Sequence, residues 1–512
     1  MPRKSAAGTG FILIVIFVEM PDPPKSTTKF PAKVRNSPVF GSGKLGSYLP
    51  AAVAVLGALA FVLWLTHKPQ VPLTRRVPGT DRSPTGEGAG STNPVLAGRV
   101  IKGEGTATEL PGSWPGFRGP DRTGFASVLA HPQPTSVTLA RTWESSGPRE
   151  LWGIDVGEGY AGAAVANGRV YLVDYDREKK QDAIRCLSLA DGKEIWRFAY
   201  PVSVKRNHGM SRTVPAVTDK YVVAMGPKCH VACLDSITGE LRWGLDLVRQ
   251  FGTTVPPWYA GQNPLIDNGT VILAPGGKDA LLMAVDLESG KVLWQTPNPK
   301  GWKMTHSSVV PMEFAGQRMY VYCASLGVVG VSAKDGSLLW ETADWKISIA
   351  TVPSPAILDA GRIFLSGGYN AGSLVLELKD EHGRLLPRTV FKLEPEIFGA
   401  TQQTPVYYNK HIYGIRPDGQ FVCLSPDGKV VWSSGSSHLF GLGSFLLADG
   451  VIFVVNDSGL LSLLEANSDA FKLLAQAQVL KGRESWGPMA LAGTRLIVRD
   501  LTRMVCLDVG AR

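Results

Sequence analysis

Nine large side chains with charged, amide, imidazole or aromatic groups stand in short segments that are otherwise rich in glycine, alanine, serine and threonine. Groups of these types recognise a ligand through charge, hydrogen bonds and stacking. Small residues in the same segments are also what crowded strands require, so packing with a solvated rim is the alternative explanation for this region. The candidate residues for a ligand or partner site are Arg212, Trp258, Tyr259, Gln262, Lys303, His306, Gln402, Gln403 and Trp486.

Motifs of hydrolases and metalloenzymes are absent from the sequence. It contains no H-E-x-x-H, no G-x-S-x-G and no C-x-x-C pair, and its eight histidines are scattered without metal-ligand spacing. The glycine-rich run at 157–162 precedes a strand, so it lacks the helix N-terminus that would hold a pyrophosphate. The sequence therefore predicts no catalytic residue, no metal ligand and no cofactor-binding residue.

The elements that must position the candidate residues are repeats. A hydrophobic run, an Asp-Gly, Thr-Gly or Ser-Gly corner and a tryptophan recur as CLSLADGKEIW, CLDSITGELRW, AVDLESGKVLW, GVSAKDGSLLW and VCLSPDGKVVW. Four of the tryptophans are 47, 51 and 46 residues apart, and the last follows after 92, or two periods. A period of about 40–50 residues indicates a propeller or a solenoid. The tryptophans that end these runs are Trp196, Trp243, Trp294, Trp340 and Trp432.

Each repeat supports a four-stranded blade. Short alternating segments flank turn dipeptides such as Asn167-Gly168, and long amphipathic stretches typical of helical repeats are absent. Eight units are counted, and the eighth, at 487–510, ends after three strands. The segment PRELWGIDV with Trp152 supplies the missing strand, which predicts ring closure by an N-terminal strand. We predict an all-β, eight-bladed propeller over 141–512, or seven blades if 444–480 is not a true blade.

This architecture predicts where the nine candidate residues lie. The segments that enter the innermost strands of a propeller converge on one face around the axial channel. The tryptophans, by contrast, are expected on the outermost strands, where a flat ring fills the wedge between neighbouring blades. The residues predicted to dock blades in this way are Trp152, Trp196, Trp243, Trp294, Trp340 and Trp432.

The repeats resemble those of the PQQ-like β-propellers, the quinoprotein alcohol dehydrogenase-like superfamily, which also holds the propeller lipoprotein of the outer-membrane barrel-assembly machinery. The resemblance covers 141–512 and implies either an enzyme or a binding scaffold. It implies that an enzyme would hold a quinone above a Ca²⁺ bound by carboxylates and would use an aspartate base. Here the converging segments offer few acids, Glu158 and Asp344 among them, and no Cys-Cys pair occurs. Pyrroloquinoline quinone with Ca²⁺ is therefore an alternative, and no cofactor is the expectation.

The first 110 residues have a different composition. We predict a basic cytoplasmic segment at 1–48, a transmembrane helix at 49–65, a flexible linker at 66–110 and an extension at 111–140 that packs on the propeller. Seven Lys/Arg precede 49–65 against two acids, which predicts a cytoplasmic N-terminus and an exported propeller in a bacterial envelope. A cleaved signal peptide is the alternative to a retained anchor.

Charge and cysteine content narrow the possible partners. Residues 1–110 hold 13 Lys/Arg and 6 Asp/Glu, so most of the net charge of +9 precedes the propeller. This distribution indicates a membrane-surface signal, and no nucleic-acid partner is expected. Equivalent blade positions lie too far apart for disulfides, so the cysteines are predicted to be buried free thiols.

These observations predict a membrane-anchored, exported and non-catalytic propeller that binds a protein or peptide partner. Envelope assembly as its setting is what the family resemblance alone implies. Two alternatives stay open at this point. One is a quinoprotein oxidoreductase, and the other is a sensor for a small molecule or sugar that uses the aromatic and amide groups of the ring.

Overall fold

The computed structural model describes residues 49–66, 92–126, 138–144 and 146–511. The chain divides into two compact units, Met1–Arg75 and Arg76–Arg512. The described part of the first unit is helix α1, Leu49–Thr66, which contains the segment predicted to cross a membrane. Within the described ranges no helix combines the length and the apolar character that a membrane crossing needs, so that prediction is not supported. The predicted segment 1–48 lies outside the described residues, and so do residues 67–91 of the predicted linker.

The second unit consists of strands with two short helices. A 3₁₀ helix spans Pro94–Ala97, and helix α2 spans Leu247–Phe251. Three strands precede the repeats: β1 (Arg99–Lys102), β2 (Phe125–Ala126) and β3 (Arg149–Asp155).

The repeats form eight sheets of four antiparallel strands each, here called blades 1 to 8 in chain order, and β3 belongs to the last of them. Blade 1 contains β4 (Ala164–Ala166), β5 (Arg169–Asp176), β6 (Gln181–Ser188) and β7 (Glu194–Pro201). Blade 2 contains β8 (Ala216–Val217), β9 (Tyr221–Met225), β10 (His230–Asp235) and β11 (Leu241–Asp246). Blade 3 contains β12 (Leu265–Asp267), β13 (Thr270–Leu273), β14 (Met283–Asp286) and β15 (Val292–Gln295). Blade 4 contains β16 (Val310–Phe314), β17 (Gln317–Ala324), β18 (Gly327–Ser332) and β19 (Leu338–Thr342).

Within each repeat the chain runs from the innermost strand outward, and the second half of the ring follows the same order. Blade 5 contains β20 (Ala356–Ile357), β21 (Arg362–Gly367), β22 (Gly372–Glu381) and β23 (Arg384–Leu393). Blade 6 contains β24 (Val406–Tyr408), β25 (His411–Ile415), β26 (Phe421–Leu424) and β27 (Val430–Ser433). Blade 7 contains β28 (Phe445–Ala448), β29 (Val451–Val455), β30 (Leu460–Glu465) and β31 (Leu473–Gln478). Blade 8 contains β32 (Ala490–Ala492), β33 (Arg495–Arg499), β34 (Arg503–Asp508) and the upstream strand β3.

Ring closure follows the prediction. Strand β3 pairs antiparallel with β34, with Arg149 opposite Asp508 and Trp152 opposite Cys506. The weak unit 444–480 is a complete four-stranded blade, so the ring has eight blades rather than seven. Closure in this way gives the last blade four strands and pairs the edge of β34 that would otherwise be open.

Neighbouring blades are joined by the repeated tryptophan and the repeated corner. Trp196 lies on β7 of blade 1, which β1 covers on its outer side as a fifth strand, and its ring rests on Gly239, the corner glycine of blade 2. Gly239 has a φ of 76°, and a Cβ atom there would lie 2.6 Å from the ring, so the corner needs glycine for both reasons. Trp243 repeats the contact and donates its indole N–H to the Leu287 carbonyl of blade 3 at 2.9 Å. Five of the six tryptophans predicted to dock blades lie on the outermost strand of their sheet, and Trp196 is the exception because β1 pairs outside β7.

The six cysteines of the described chain are all buried and free, as predicted. Four of them recur at one blade position, and burial raises the pKa of each thiol to about 12. At neutral pH they are therefore protonated and unreactive as nucleophiles.

A buried carboxyl group lies in the core of blade 1. Asp182 of β6 is completely buried, and it accepts a hydrogen bond from the hydroxyl group of Tyr200 on β7. Burial raises the pKa of Asp182 from 3.8 to about 7, and the nearby Asp174 adds to this increase. The folded state therefore keeps this carboxyl protonated at pH values where the unfolded chain ionises it.

Asp182 should make the fold less stable as the pH rises from about 4 to about 7. The stabilisation is complete below pH 3.8 and is lost as the pH rises through the pKa of the folded state. Through this group the free energy of unfolding of the wild type should fall by up to about 1.4 kcal/mol per pH unit in this window, and Asp182→Asn should lack this contribution. Urea unfolding at several pH values measures this, with the exposed Asp279→Asn as control. An unchanged pH dependence in Asp182→Asn would contradict the assignment.

Candidate functional site

One end of the axial channel is closed by residues 114–126, here called the plug. Trp114 pairs with Val165 of β4 through two backbone hydrogen bonds of 2.8 Å. The Pro115 carbonyl then accepts the amide N–H of Val217 on β8 at 2.8 Å, and β2 at the end of the plug pairs in parallel with β28 of blade 7. The plug, which is part of the segment predicted at 111–140, thus bonds to the innermost strands of three blades.

Arg118 holds the plug against blade 6. Its guanidinium donates to the carbonyl groups of Thr404 and Pro405 at 3.0 Å each, and also to those of Arg122 and Thr123 within the plug. All four acceptors are neutral, and burial lowers the pKa of Arg118 to about 9. Arg118 is therefore a cation whose hydrogen bonds are satisfied but whose charge is not balanced by any of these partners.

Above the plug lies a cavity of about 330 Å³, here called the axial cavity. The plug contributes Trp114, Phe117, Arg118 and Gly124 to its lining, and the walls come from the segments that lead into innermost strands. Six of the residues proposed from the sequence line this cavity: Arg212, Trp258, His306, Gln402, Gln403 and Trp486.

Three other residues proposed from the sequence lie outside the lining of the axial cavity. Tyr259 is buried and has a φ of 70°, and its hydroxyl group donates to the Lys205 carbonyl. Gln262 is also buried, and its amide bonds both the carbonyl and the N–H of Ala274, at 3.1 and 2.8 Å. Lys303 is exposed. Two of these side chains therefore support the local backbone instead of facing the cavity.

Aromatic rings form one wall of the axial cavity. Tyr160 and Trp486 stack with their centroids 5.2 Å apart and their planes 26° from parallel. The hydroxyl group of Tyr160 donates to Glu484, and the indole N–H of Trp486 donates to Asp457 at 2.7 Å. Neither carboxylate is part of the lining, and the two hydrogen bonds restrain the orientation of the rings.

Arg212 lies against this wall. Its guanidinium carbon is 4.9 Å from the centroid of the Tyr160 ring, and its Nε donates to the Trp258 carbonyl at 2.6 Å. Burial lowers the pKa of Arg212 to about 10, so the group stays charged at neutral pH. A cation over an aromatic face is stabilised by the ring quadrupole, which restrains its orientation here.

His306 contributes a neutral imidazole to the lining. Burial, with a smaller contribution from the charge of Arg212, lowers the pKa of His306 to about 3. Its buried Nε2 has no hydrogen-bond partner among the described residues, and the ring lies 6.4 Å from that of Trp258. His306 can therefore donate or accept a hydrogen bond from a ligand, but it adds no charge to the cavity at neutral pH.

Several large residues of the lining are not among the candidates that the sequence indicated, including Tyr160, His208 and Tyr369. Tyr160 stands among glycine and alanine residues at 159–165, where packing is a sufficient explanation for the composition. Tyr369 belongs to the hairpin between β21 and β22, where it and Asn370 have φ values of 58° and 61°. The pair Tyr369-Asn370 next to glycines is a turn signal that could have placed this hairpin at the channel.

The group that the resemblance implies, a quinone held above Ca²⁺, can be tested against the lining. Aromatic rings and Arg212 could contact a flat anionic molecule, but the lining contains no aspartate or glutamate. In the described part of the chain, no cluster of three or more His, Cys, Asp or Glu side chains could hold a metal ion. The donor set of the axial cavity therefore does not fit a quinone that depends on a carboxylate-bound cation.

Comparison with known proteins agrees with this architecture. A family model described as the outer membrane protein assembly factor BamB matches residues 179–424, which run from blade 1 into blade 6. This match supports the resemblance to PQQ-like β-propellers that the repeats indicated, over residues 179–424. None of the curated protein sequences is significantly similar to this chain.

Two solved structures illustrate the similarity of the fold. A europium-containing methanol dehydrogenase is 12% identical and matches 76% of this chain and 89% of its own, with a TM-score of 0.55. BamB from Moraxella catarrhalis is 14% identical and matches 70% of this chain and 100% of its own, with a TM-score of 0.48. The match to the methanol dehydrogenase shows a shared fold, and an identity of 12% does not establish a shared activity.

Proposed function

We propose that this chain is a non-catalytic binding propeller whose axial cavity receives a peptide segment of a partner protein. The observation that carries the proposal is the cavity itself, which is closed below by the plug and walled by Tyr160, Trp258 and Trp486. Its volume of about 330 Å³ lies at the lower end of the range for ligand sites, which are mostly apolar with a few placed polar groups. A protein partner is favoured because the matching family model is described as an assembly factor.

A small molecule or sugar is the second candidate. The closed floor favours it, because a compact ligand could be enclosed by the plug and the aromatic wall without a protein attached. A quinoprotein oxidoreductase is not favoured, because the lining lacks the carboxylates that would bind the cation.

The setting of this function is a further part of the proposal. An exported propeller at a bacterial membrane, with a role in envelope assembly, is supported by the basic residues before 49–65 and by the description of the matching family. A tether of this kind would raise the local concentration of the propeller near partners at the membrane.

Filling the axial cavity should abolish binding of peptides. Val352 lines the cavity, so Val352→Trp places an indole inside it, whereas Val292 lies on the outermost strand β15, and Val292→Trp makes the same change on the surface. Labelled full-length chain is applied to an array of immobilised peptides of varied sequence. Peptides that bind the wild type should lose at least about tenfold in affinity, about 1.4 kcal/mol, with Val352→Trp and bind Val292→Trp unchanged.

Two outcomes would contradict this proposal. Equal binding by Val352→Trp and the wild type would place the peptide site elsewhere on the propeller. Absence of peptide binding, together with binding of sugars or other small molecules that Val352→Trp abolishes, would favour the second candidate.

A further inference from the structure

Three arginines differ in how their donors are used: Arg499, which is buried, and Arg118 and Arg212, which are half-buried. Arg118 and Arg499 each donate four hydrogen bonds to backbone carbonyl groups, and these bonds come from all three guanidinium nitrogens. Arg212 donates only through Nε, to the Trp258 carbonyl. Within the described residues its two terminal nitrogens make no hydrogen bond, and it forms no salt bridge. Arginines that only support the backbone are thus saturated in this protein, and Arg212 is not.

The free end of Arg212 is directed by its surroundings. The bond from Nε to Trp258 and the contact with the Tyr160 ring hold the guanidinium at two points, and the residue lines the axial cavity. A guanidinium restrained in this way keeps its two terminal N–H groups in a planar fork, which matches the two oxygens of a carboxylate. Little side-chain freedom would be lost on binding.

The charge of the lining also favours an anion. Arg118 and Arg212 are both part of it, no aspartate or glutamate is, and His306 is neutral at physiological pH. Glu484, which accepts a hydrogen bond from Tyr160, adds a favourable charge interaction to Arg212, but it forms no hydrogen bond with either terminal nitrogen of Arg212. An anionic ligand in the cavity would supply the hydrogen bonds that these nitrogens lack.

A carboxylate fits this site better than a phosphate. Only one two-donor fork is free, and the carboxylates of Glu484 and Asp457 are hydrogen-bonded to Tyr160 and Trp486 of the lining. A monoanion matches one fork, whereas a phosphate dianion would require more donors and would be repelled more strongly by the two carboxylates.

We infer that the free guanidinium end of Arg212 binds a carboxylate of the inserted peptide, with an apolar or aromatic group of the same peptide packed between Trp258 and Trp486. This inference rests on the proposed function and adds the chemistry that the cavity selects. The carboxylate can come from the C-terminus of the peptide or from an Asp or Glu side chain.

The test uses matched probes and the full-length chain. Acetylated tetrapeptides that end in tryptophan are prepared with a free C-terminal carboxylate and with a C-terminal amide, and a third, amidated probe carries an internal glutamate. Affinity is measured by fluorescence anisotropy for the wild type, Arg212→Gln, Arg212→Lys and Lys303→Gln. Lys303→Gln is the control because it removes a positive charge near the same face from an exposed residue outside the lining.

The free-acid or the glutamate probe should bind the wild type at least about tenfold more tightly than the neutral amide. Whichever of the two is preferred identifies the source of the carboxylate. The preference should disappear in Arg212→Gln, weaken in Arg212→Lys, where the planar fork is lost, and persist in Lys303→Gln.

The outcomes of this experiment distinguish failure of the inference about Arg212 from failure of the proposed function. If acid and amide probes bind the wild type equally and both lose affinity with Val352→Trp, the cavity binds peptides but Arg212 does not select a carboxylate. A preference that persists in Arg212→Gln would also overturn the inference. Failure of every probe and every array peptide to bind would overturn both proposals.

Discussion

Replacement of Trp152 by alanine should lower the free energy of unfolding by about 3–5 kcal/mol. The indole of Trp152 is 6% exposed and donates its N–H to the Leu189 carbonyl of blade 1 at 3.0 Å. Its ring rests on Gly192, so the side chain joins blade 8 to blade 1 at the point where the ring closes. Alanine would leave a cavity at that joint and an unpaired carbonyl group beside it.

Two measurements check this result. Urea unfolding of the full chain gives the change in stability, and thiol labelling followed by mass spectrometry shows whether Cys506, opposite Trp152 in the sheet, becomes reactive. Trp64→Ala is the matched control, because Trp64 in α1 is 70% exposed and its loss should change stability by no more than about 0.5 kcal/mol. A loss below about 1 kcal/mol, with Cys506 still protected, would show that closure does not depend on Trp152.

Arg118→Met should destabilise the plug and with it the propeller, by about 3–5 kcal/mol. The methionine keeps much of the apolar volume but leaves the Thr404 and Pro405 carbonyls of blade 6 without their donor. Release of the plug should also expose Arg122 to trypsin, because this residue is otherwise held by a hydrogen bond to the Ile266 carbonyl.

The control for this variant is Arg99→Met, which makes the same substitution at an exposed position of β1. It should change neither the unfolding free energy beyond about 0.5 kcal/mol nor the rate of cleavage after Arg122. If Arg118→Met were as stable and as resistant to trypsin as the wild type, the plug would be held by Trp114 and β2 without help from the guanidinium.

The blades could be predicted from sequence because the same contact is made at many joints. A tryptophan on a glycine corner demands both residues at a fixed spacing, so its period is visible without any structure. Blade 5 was harder to recognise because Phe391 replaces the tryptophan on β23 and lies over Gly428 of the next blade. Blade closure by Trp152 could be predicted because a three-stranded final unit needs a fourth strand from elsewhere.

The candidate site was only partly predictable, since convergence on the axis follows from topology but side-chain direction does not. Arg212 and Trp486 face the axial cavity, whereas Gln262 turns to the backbone of Ala274. The converging segments are irregular, so no alternation of period 2 indicates which side chain faces the channel. The plug had no periodic pattern at all, and its role depends on long-range bonds such as that of Arg118 to Thr404.

The pairing of β3 with β34 has a consequence for the order of events during synthesis. Arg149 and Asp508 are 359 residues apart, so at about 5–20 residues per second the first strand of the ring waits roughly 20–70 s for its partner. Blades 1 to 7 can each pair their own strands during that interval, because each is made from one continuous stretch. A ribosome that stopped before β34 would release a row of blades whose free edges could pair with another chain.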